Sequence, residues 1–174
     1  MNKMNNRVFR EFCISIKRHN RFGAICVLNY RIANYFYRKH RLLGFIFIGF
    51  YHVIFRHLLG FDIHEGATIG SNFCVFHCFG IAVNPKAVIG DNCDISHNTT
   101  IGRGKDDKCP RIGNNVVISP ACQIIGDIEI GENTFIGIGS VVVKSFPSNV
   151  VIAGNPARII KNCSYENIID NGQK

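Results

Sequence analysis

Two histidines, His77 and His97, have a sequence spacing that could bring their side chains together for acid–base chemistry. His77 is the third residue of VFHCFG and His97 is the third residue of ISHNTT. If these six-residue units stack as turns of a coil, both imidazoles lie on one face, about 4.8 Å apart in adjacent strands. Imidazoles this close tend to keep each other neutral, which suits a proton acceptor. The alternative is that both are surface histidines without a chemical role. No Asp or Glu stands next to His77 in the sequence to orient its ring.

The chain around these histidines repeats every six residues. Twelve units begin with Ile or Val, as in IHEGAT (63–68), IGDNCD (89–94) and IGENTF (130–135). A short strand and a corner fit one unit, three units close a triangular coil, and the leading residues then point inward. A helix requires apolar residues at a spacing near 3.6, which these leads do not follow. The period predicts a mainly β protein, a parallel β-helix of about four coils.

Two interruptions break this period. Ile81 and Ala82 are interpreted as two extra residues in one corner, which explains why the histidines are separated by one coil plus two residues. The segment 102–111, GRGKDDKCPR, is charged and does not repeat, so it is predicted to leave the coil as a loop. Loops held by a rigid scaffold often carry function.

Residues 1–60 follow different rules. Apolar residues recur at three- and four-residue spacings, which indicates helices. This region has eleven Lys or Arg and one acidic residue, and the uncharged stretch 42–55 is too short to cross a bilayer. We therefore divide the chain into a basic, aromatic-rich helical region (1–60), a β-helix domain (61–162) and a C-terminal tail (163–174).

The basic N-terminal region has three interpretations. Its helices cap the open end of the β-helix, with Arg and Lys on a solvated face. The same cations could also hold the protein on an anionic membrane surface, with Phe and Tyr in the interface. Nucleic-acid binding is disfavoured because no nucleic-acid-binding module accompanies the charge.

The eight cysteines do not form a recognisable framework. No CxxC pair occurs, so we expect no metal site. No signal peptide is apparent, which predicts a cytoplasmic protein, with peripheral attachment to the inner face of the membrane as an option. The cysteines are then expected to be reduced thiols that serve as small apolar residues.

Several motifs together resemble hexapeptide-repeat acyltransferases over about residues 60–162. They are DIHEGATIG, VFHCFGIAV, KAVIGDNCDISHNTTIG, CPRIGNNVVI and the tail IGIGSVVVKSFPSNVVIAGNPARII. The chain is most similar to serine acetyltransferases and their relatives in capsule, O-antigen and colanic acid synthesis. The resemblance implies a left-handed β-helix, a homotrimer, and acetyl-CoA bound in a groove between neighbouring subunits.

The resemblance also assigns roles to individual residues. His77 matches the catalytic histidine, and Asp62 matches the acid that orients it. A neutral imidazole accepts the proton of a hydroxyl as it attacks a thioester, and a carboxylate on its other nitrogen fixes the tautomer. His64 lies in a common repeat motif and is expected to be structural. Candidates for acetyl-CoA binding, by position in the family, are Ala121, Gly139, Ser140, Lys144 and Arg158.

The acceptor is less clearly indicated. Phe76 stands where serine acetyltransferases carry an aspartate, and Lys108 and Cys109 replace an Arg-His pair. These changes remove groups suited to a free amino acid, so Phe76, His97, Lys108 and Cys109 are candidates for a different acceptor site. Cys109 as a nucleophile lacks an evident activating base. We expect O-acetylation of a sugar in surface polysaccharide synthesis. A serine O-acetyltransferase and a non-catalytic scaffold in a glycan-synthesis complex are the alternatives.

Overall fold

The computed structural model describes residues 21–39 and 44–163. Residues 1–20, 40–43 and 164–174, which contain Arg41 and most of the predicted tail, lie outside the described ranges. The helices are α1 (Arg21–Lys39), α2 (Gly44–Tyr51) and a π-helical segment (His52–Leu58). The strands are β1 (Phe61–Ile63), β2 (Thr68–Ile69), β3 (Cys74–Phe76), β4 (Ile81–Val83), β5 (Val88–Ile89), β6 (Asp94–Ser96), β7 (Thr100–Gly102), β8 (Arg111–Ile112), β9 (Val117–Ile118), β10 (Gln123–Ile125), β11 (Glu129–Ile130), β12 (Phe135–Ile136), β13 (Val141–Val142), β14 (Val150–Gly154) and β15 (Ala157–Asn162).

The strands form three sheets, which are the three walls of a β-solenoid. Their orders are β1-β4-β7-β10-β13, β11-β8-β5-β2 and β15-β14-β12-β9-β6-β3. Neighbours pair in parallel, except that β15 returns antiparallel to β14. The predicted parallel β-helix is confirmed, with about five turns in the described chain. The predicted four coils are one too few because β7 and β14 belong to the coil but are not led by any of the twelve repeat units.

The leading Ile and Val residues stack in rows along the axis of the coil. In the first wall the paired residues are Ile63, Val83, Ile101, Ile124 and Val142. In the second they are Ile69, Ile89, Ile112 and Ile130. In the third they are Val75, Ile95, Ile118, Ile136 and Ile152. All of these side chains are buried, so the predicted inward direction of the leads is confirmed, and the three rows together form one hydrophobic core.

One corner of the solenoid is held by a ladder of asparagine side chains. Each ladder residue has a positive φ, a conformation that Asn tolerates better than most residues. The amide of each donates to the amide oxygen of the next, with distances of 2.8–3.1 Å. The ladder residues are Asn72, Asn92, Asn115, Asn133 and Asn149. These bonds fix the corner that leads into the third wall.

The helical region packs on the first turn of the coil. The buried hydroxyl of Tyr30 on α1 donates to the carbonyl of Ala67 at 2.8 Å. The hydroxyl of Tyr51, at the end of α2, donates to the carbonyl of Ile63 at 2.7 Å. Side chains of the helices thus satisfy backbone groups at the exposed end of the coil, and the predicted capping role is confirmed.

The outer surface of α2 and the π-helical segment is apolar. No helix in the described ranges is long and apolar enough to cross a membrane. Even so, five large apolar side chains are more than half exposed. They are Phe45, Ile46, Phe50, Val53 and Leu58.

The cysteines of the described chain lie in the interior of the fold. Each of the seven is buried, as expected for small apolar residues in a packed interior. Among the described residues, no group of three or more His, Cys, Asp or Glu side chains could hold a metal ion.

Candidate functional site

His77 lies at a widened corner of the coil. It follows β3 directly, its φ is +55° and its side chain is exposed. The structure corrects the position of the two extra residues: Ile81 and Ala82 belong to β4 and pair with Phe61 and Asp62. The additional length instead lies in the corner 77–80, where Gly80 provides a second left-handed residue. His77 is therefore an exposed residue of the corner that carries the additional length.

The rings of His77 and His97 contact each other across consecutive turns. Their centroids are 5.5 Å apart and the rings meet edge to face, so the predicted proximity is confirmed. His97 is half-buried, and its Nδ1 atom is buried without a hydrogen-bond partner in the described chain. Phe79, in the same corner as His77, stacks on Phe22 of α1 at 6.0 Å. The helical region therefore supports the corner that carries His77.

Asp62 is held by an arginine rather than by the histidine. Its Oδ1 atom accepts a hydrogen bond from Nε of Arg56 at 2.5 Å, and it forms no ion pair within 4.0 Å with His77. The side chain of Asp62 is 48% exposed, whereas that of Arg56 is 17% exposed. The carboxylate is thus only partly buried and is paired with Arg56, and its role in orienting His77 stays a prediction.

Arg56 belongs to a charged cluster beneath the site. Its Nη1 atom lies 2.9 Å from Nε2 of His52 and 3.5 Å from a carboxylate oxygen of the buried Glu65. Glu65 also contacts His52 at 3.2 Å. Burial pushes the pKa of Glu65 upward, but hydrogen bonds from its own backbone and from His52 outweigh this effect, so its pKa lies below the ordinary value. Glu65 is therefore a carboxylate at neutral pH and compensates the charge of Arg56.

The loop between β7 and β8 is tied to the coil by exposed ion pairs. Lys108 contacts Asp127 at 2.5 Å, and Lys86 pairs with Asp107. Cys109 is buried, and burial raises the pKa of its thiol. A thiol with a raised pKa is mostly protonated at neutral pH, which argues against a nucleophilic role. Lys108 and Cys109 line a polar cavity of about 350 Å³.

Phe76, the remaining acceptor candidate, ends β3 next to His77. Its side chain is half-buried, and it pairs in register with Ser96, the residue before His97. It presents no charged group beside the histidines.

The candidates for acetyl-CoA binding lie in later turns. Ala121 and Gly139 are exposed, have positive φ values and occupy one corner in successive turns. Ser140 is buried, and its hydroxyl donates to the carbonyl of Gly137 at 2.5 Å. Only the backbone of Ser140 could therefore contact the cofactor. Lys144 and Arg158 are exposed and available to phosphate groups. Their roles stay predictions.

Comparison with known proteins identifies relatives along most of the chain. The putative colanic acid biosynthesis acetyltransferase WcaB of Escherichia coli K12 is 38% identical over 141 residues, which are 76% of this chain and 87% of that protein. A serine acetyltransferase of Synechococcus elongatus is 34% identical over 146 residues, 79% of this chain but 57% of that protein. No family model matches the chain.

Comparison with solved structures identifies the same kind of relative. A crystal structure of serine acetyltransferase from Brucella abortus in complex with coenzyme A is 30% identical, with a TM-score of 0.79, and the match covers 92% of this chain and 68% of that chain. A serine O-acetyltransferase structure from Brucella melitensis, described as a bacterial transferase hexapeptide repeat, has a TM-score of 0.72 at 35% identity, over 82% of this chain and 56% of that chain. This chain belongs to the hexapeptide-repeat acyltransferases.

Sequence reasoning about this acyltransferase missed Arg56. No motif surrounds Arg56 that would distinguish it from the other basic residues of the helical region. The structure places it against Asp62 since the π-helical segment His52–Leu58 runs directly into β1. One signal in the sequence could have indicated this contact. Arg56 precedes Asp62 by only six residues, and Gly60, a turn residue, lies between them.

Proposed function

We propose that this acyltransferase uses acetyl-CoA to O-acetylate a sugar hydroxyl in the synthesis of a surface polysaccharide. The observation that carries the proposal is the exposed corner of His77, in contact with His97, in a chain that matches a putative colanic acid acetyltransferase over 87% of that protein. The coenzyme A complex of a serine acetyltransferase with the same fold supports acetyl-CoA as the acetyl donor.

In the proposed reaction His77 acts as the general base. Its neutral imidazole accepts the proton of the acceptor hydroxyl while the oxygen attacks the thioester carbonyl carbon. The tetrahedral intermediate collapses, the carbon–sulfur bond breaks, and the imidazolium returns its proton to the sulfur of coenzyme A. The products are an acetyl ester and a free thiol. No acyl-enzyme is required, in keeping with the raised pKa of the buried Cys109 thiol.

Asp62 is proposed to stabilise the imidazolium. It would do so by turning from Arg56 toward His77, which its partly exposed side chain allows. A carboxylate in this position fixes the tautomer of the base and favours its protonated form during the reaction. Ala121 and Gly139 are proposed to let pantetheine approach the backbone, with Lys144 and Arg158 near phosphates.

Serine O-acetylation is the second candidate because several relatives are serine acetyltransferases. Phe76 is apolar, and the amine of Lys108 is engaged by Asp127. Phe76 therefore offers no carboxylate for the ammonium group of serine, and Lys108 is already paired instead of open to the carboxylate group of serine. A sugar hydroxyl, which needs no countercharge, is therefore favoured.

The active unit is proposed to be a homotrimer. One subunit leaves Ile138 (76% exposed) and Val143 (53% exposed) on the outside of the coil, near the candidates for cofactor binding. Packing of a second subunit against this surface would bury these side chains and enclose the cofactor. Sedimentation of an active monomer would contradict both the trimer and the shared site.

The helical region is proposed to attach the enzyme to the inner face of an anionic membrane. The exposed apolar side chains of α2 and the π-helical segment would enter the interface, and exposed Arg38 and Lys39 at the end of α1 would contact lipid headgroups. This location would suit an acceptor carried on a lipid.

Thiol release from acetyl-CoA, combined with mass spectrometry of the products, tests the proposed activity. Glycan acceptors, L-serine and a reaction without acceptor are compared. Release that depends on a glycan, with the mass of one acetyl group added to it, supports the proposal. Rapid release with L-serine and none with glycans would favour the second candidate, and no release with either would favour a non-catalytic scaffold.

A further inference from the structure

A second cavity lies directly beside Asp62, separate from the cavity under the loop. Its volume is about 260 Å³, enough for one monosaccharide unit. Strands β1, β4 and β7 form its base, and the π-helical segment forms one side. The polar residues of its lining are Arg56, Asp62, His64, Asn84 and Thr100. Asp62, the proposed orienting acid, is one of its lining residues and connects the cavity with the proposed site.

Two hydrogen-bond donors of this cavity are unused. Arg56 directs its Nε atom to Asp62 and its Nη1 atom to the carboxylate of Glu65, whereas its Nη2 atom has no partner in the described chain. Nδ1 of His64 accepts the backbone N–H of Gly66 at 2.9 Å. Burial lowers the pKa of His64, so the ring is neutral at pH 7 with its proton on Nε2. That N–H also lacks a partner among the described residues.

The opposite side of the cavity adds further unused groups. Oδ1 of Asn84 accepts the backbone N–H of Lys86 at 3.0 Å, which leaves its NH₂ group without a partner in the described part of the chain. The hydroxyl of Thr100 and the Oδ2 atom of Asp62 likewise have no hydrogen-bond partner there. The cavity therefore offers both donors and acceptors, as is needed to bind hydroxyl groups, each of which both donates and accepts.

The charges of the cavity compensate one another. Within the lining, the guanidinium of Arg56 pairs with the carboxylate of Asp62, and the imidazole of His64 is neutral. Apolar atoms of Ala82 and Pro85 complete the lining and can contact the C–H face of a sugar ring. Such a lining favours a neutral polyhydroxylated ligand over one that carries an ammonium and a carboxylate group.

We propose that this cavity is the subsite for a neutral pyranose ring of the acceptor, with Arg56, His64, Asn84 and Thr100 as its specificity-determining residues. The inference rests on the proposed function, since it names the class of sugar that the acyltransferase receives. It also gives Arg56 two roles in one place: contact with the acceptor and retention of Asp62 beside it.

Two conservative variants test the subsite. Thr100→Val removes the hydroxyl but keeps a β-branched strand residue, and Asn84→Asp keeps the Oδ1 acceptor but removes the NH₂ donor. The matched controls are Thr68→Val, on an exposed strand position, and Asn114→Asp, whose Oδ1 also accepts a backbone N–H. We expect each cavity variant to raise the KM for the glycan acceptor about tenfold, the effect of one lost hydrogen bond, and to leave the KM for acetyl-CoA unchanged. An acceptor KM within twofold of the controls would overturn the proposal.

Ligand-detected NMR without acetyl-CoA separates this inference from the proposed function. The probes are methyl glycosides of neutral hexoses and 6-deoxyhexoses, with L-serine as the comparison. Binding of a glycoside that is lost in Thr100→Val supports the subsite even if no acetyl transfer occurs, in which case the proposed function alone fails. Acetyl transfer to a glycan with normal kinetics in both cavity variants overturns the subsite alone. Binding of L-serine with the same dependence on Thr100 overturns the assignment to sugars.

Discussion

The imidazole rings of His77 and His97 meet edge to face, with their centroids 5.5 Å apart, in consecutive turns of the solenoid. The contact links an exposed ring to a half-buried one. His97 therefore limits the directions that the ring of His77 can take, and its buried Nδ1 lacks a partner in the described residues.

Substitution of His97 tests this supporting role. We expect His97→Gln to lower kcat by about tenfold, because the base loses the ring that positions it but keeps its own proton-accepting nitrogen. Steady-state kinetics with saturating acetyl-CoA measure the effect, and His57→Gln, at an exposed position of the π-helical segment, is the control. A fall in kcat as large as that of a His77 variant would contradict a supporting role and would indicate that His97 takes part directly in proton transfer.

Asp62→Asn tests the orienting acid. The amide keeps the size of the side chain but cannot stabilise an imidazolium, so we expect a fall in turnover of about tenfold, smaller than on removal of the base. The acetyl-CoA KM should stay the same. Asp91→Asn is the matched control, since Asp91 accepts a backbone N–H from Ser71 in a distant corner. Unchanged turnover in Asp62→Asn would show that Asp62 serves only to pair with Arg56.

The charged cluster predicts a pH dependence of stability. The folded-state pKa of Glu65 lies below its ordinary value of 4.5. Its stabilising contribution is therefore fully present above about pH 4.5 and is lost as the pH falls through the folded-state pKa. Glu65→Gln should lower the free energy of unfolding by about 1–3 kcal/mol at neutral pH, and this difference should shrink in acid.

Urea unfolding between pH 7 and pH 3 measures this difference. Glu132→Gln, on the surface of the coil, serves as the control and should follow the wild type throughout. A deficit in Glu65→Gln that is constant over the whole range would contradict a depressed pKa for Glu65.

Membrane attachment is tested by flotation with vesicles. Each basic residue near an anionic surface contributes about 1 kcal/mol, and salt screens the attraction. Reversal of Arg38, Lys39 and Arg41 to glutamate should therefore reduce binding to anionic vesicles and leave turnover on a soluble acceptor unchanged. Arg38 and Lys39 are exposed at the end of α1, and Arg41 lies outside the described residues.

A control for this experiment reverses three exposed cations of the solenoid: Lys105, Arg111 and Lys161. This variant changes the net charge equally but should float as the wild type does. Equal recovery of the wild type in the soluble fraction at low and high salt would assign the helical region to capping alone.

The solenoid was predictable because its period reflects a local rule. Every sixth residue must fill the interior, so Ile89, Ile112 and Ile130 identify the core without knowledge of the third dimension. The proximity of His77 and His97 followed from the same period. The predicted position of the two extra residues, at Ile81 and Ala82, was wrong. The predicted separation of His77 and His97 by one coil was still right, because the number of residues between the two histidines does not depend on where the extra two lie.

The contacts of Asp62 were not predictable in the same way. They depend on a π-helical segment that no repeat specifies and on rotamers of Arg56 and Asp62. The cavity beside them joins residues from three turns with one from the helical region. Its unused donors, such as Nη2 of Arg56 and the NH₂ group of Asn84, depend on which hydrogen bonds the neighbouring groups make in the folded chain.

The central claim is that His77 removes the proton of the acceptor hydroxyl, and turnover of His77→Ala tests it most directly. Thiol release should fall by roughly 100-fold or more, while calorimetry should show acetyl-CoA binding within about twofold of the wild type. His57→Ala controls for loss of an exposed imidazole. Near-normal turnover in His77→Ala would contradict the assignment of the base.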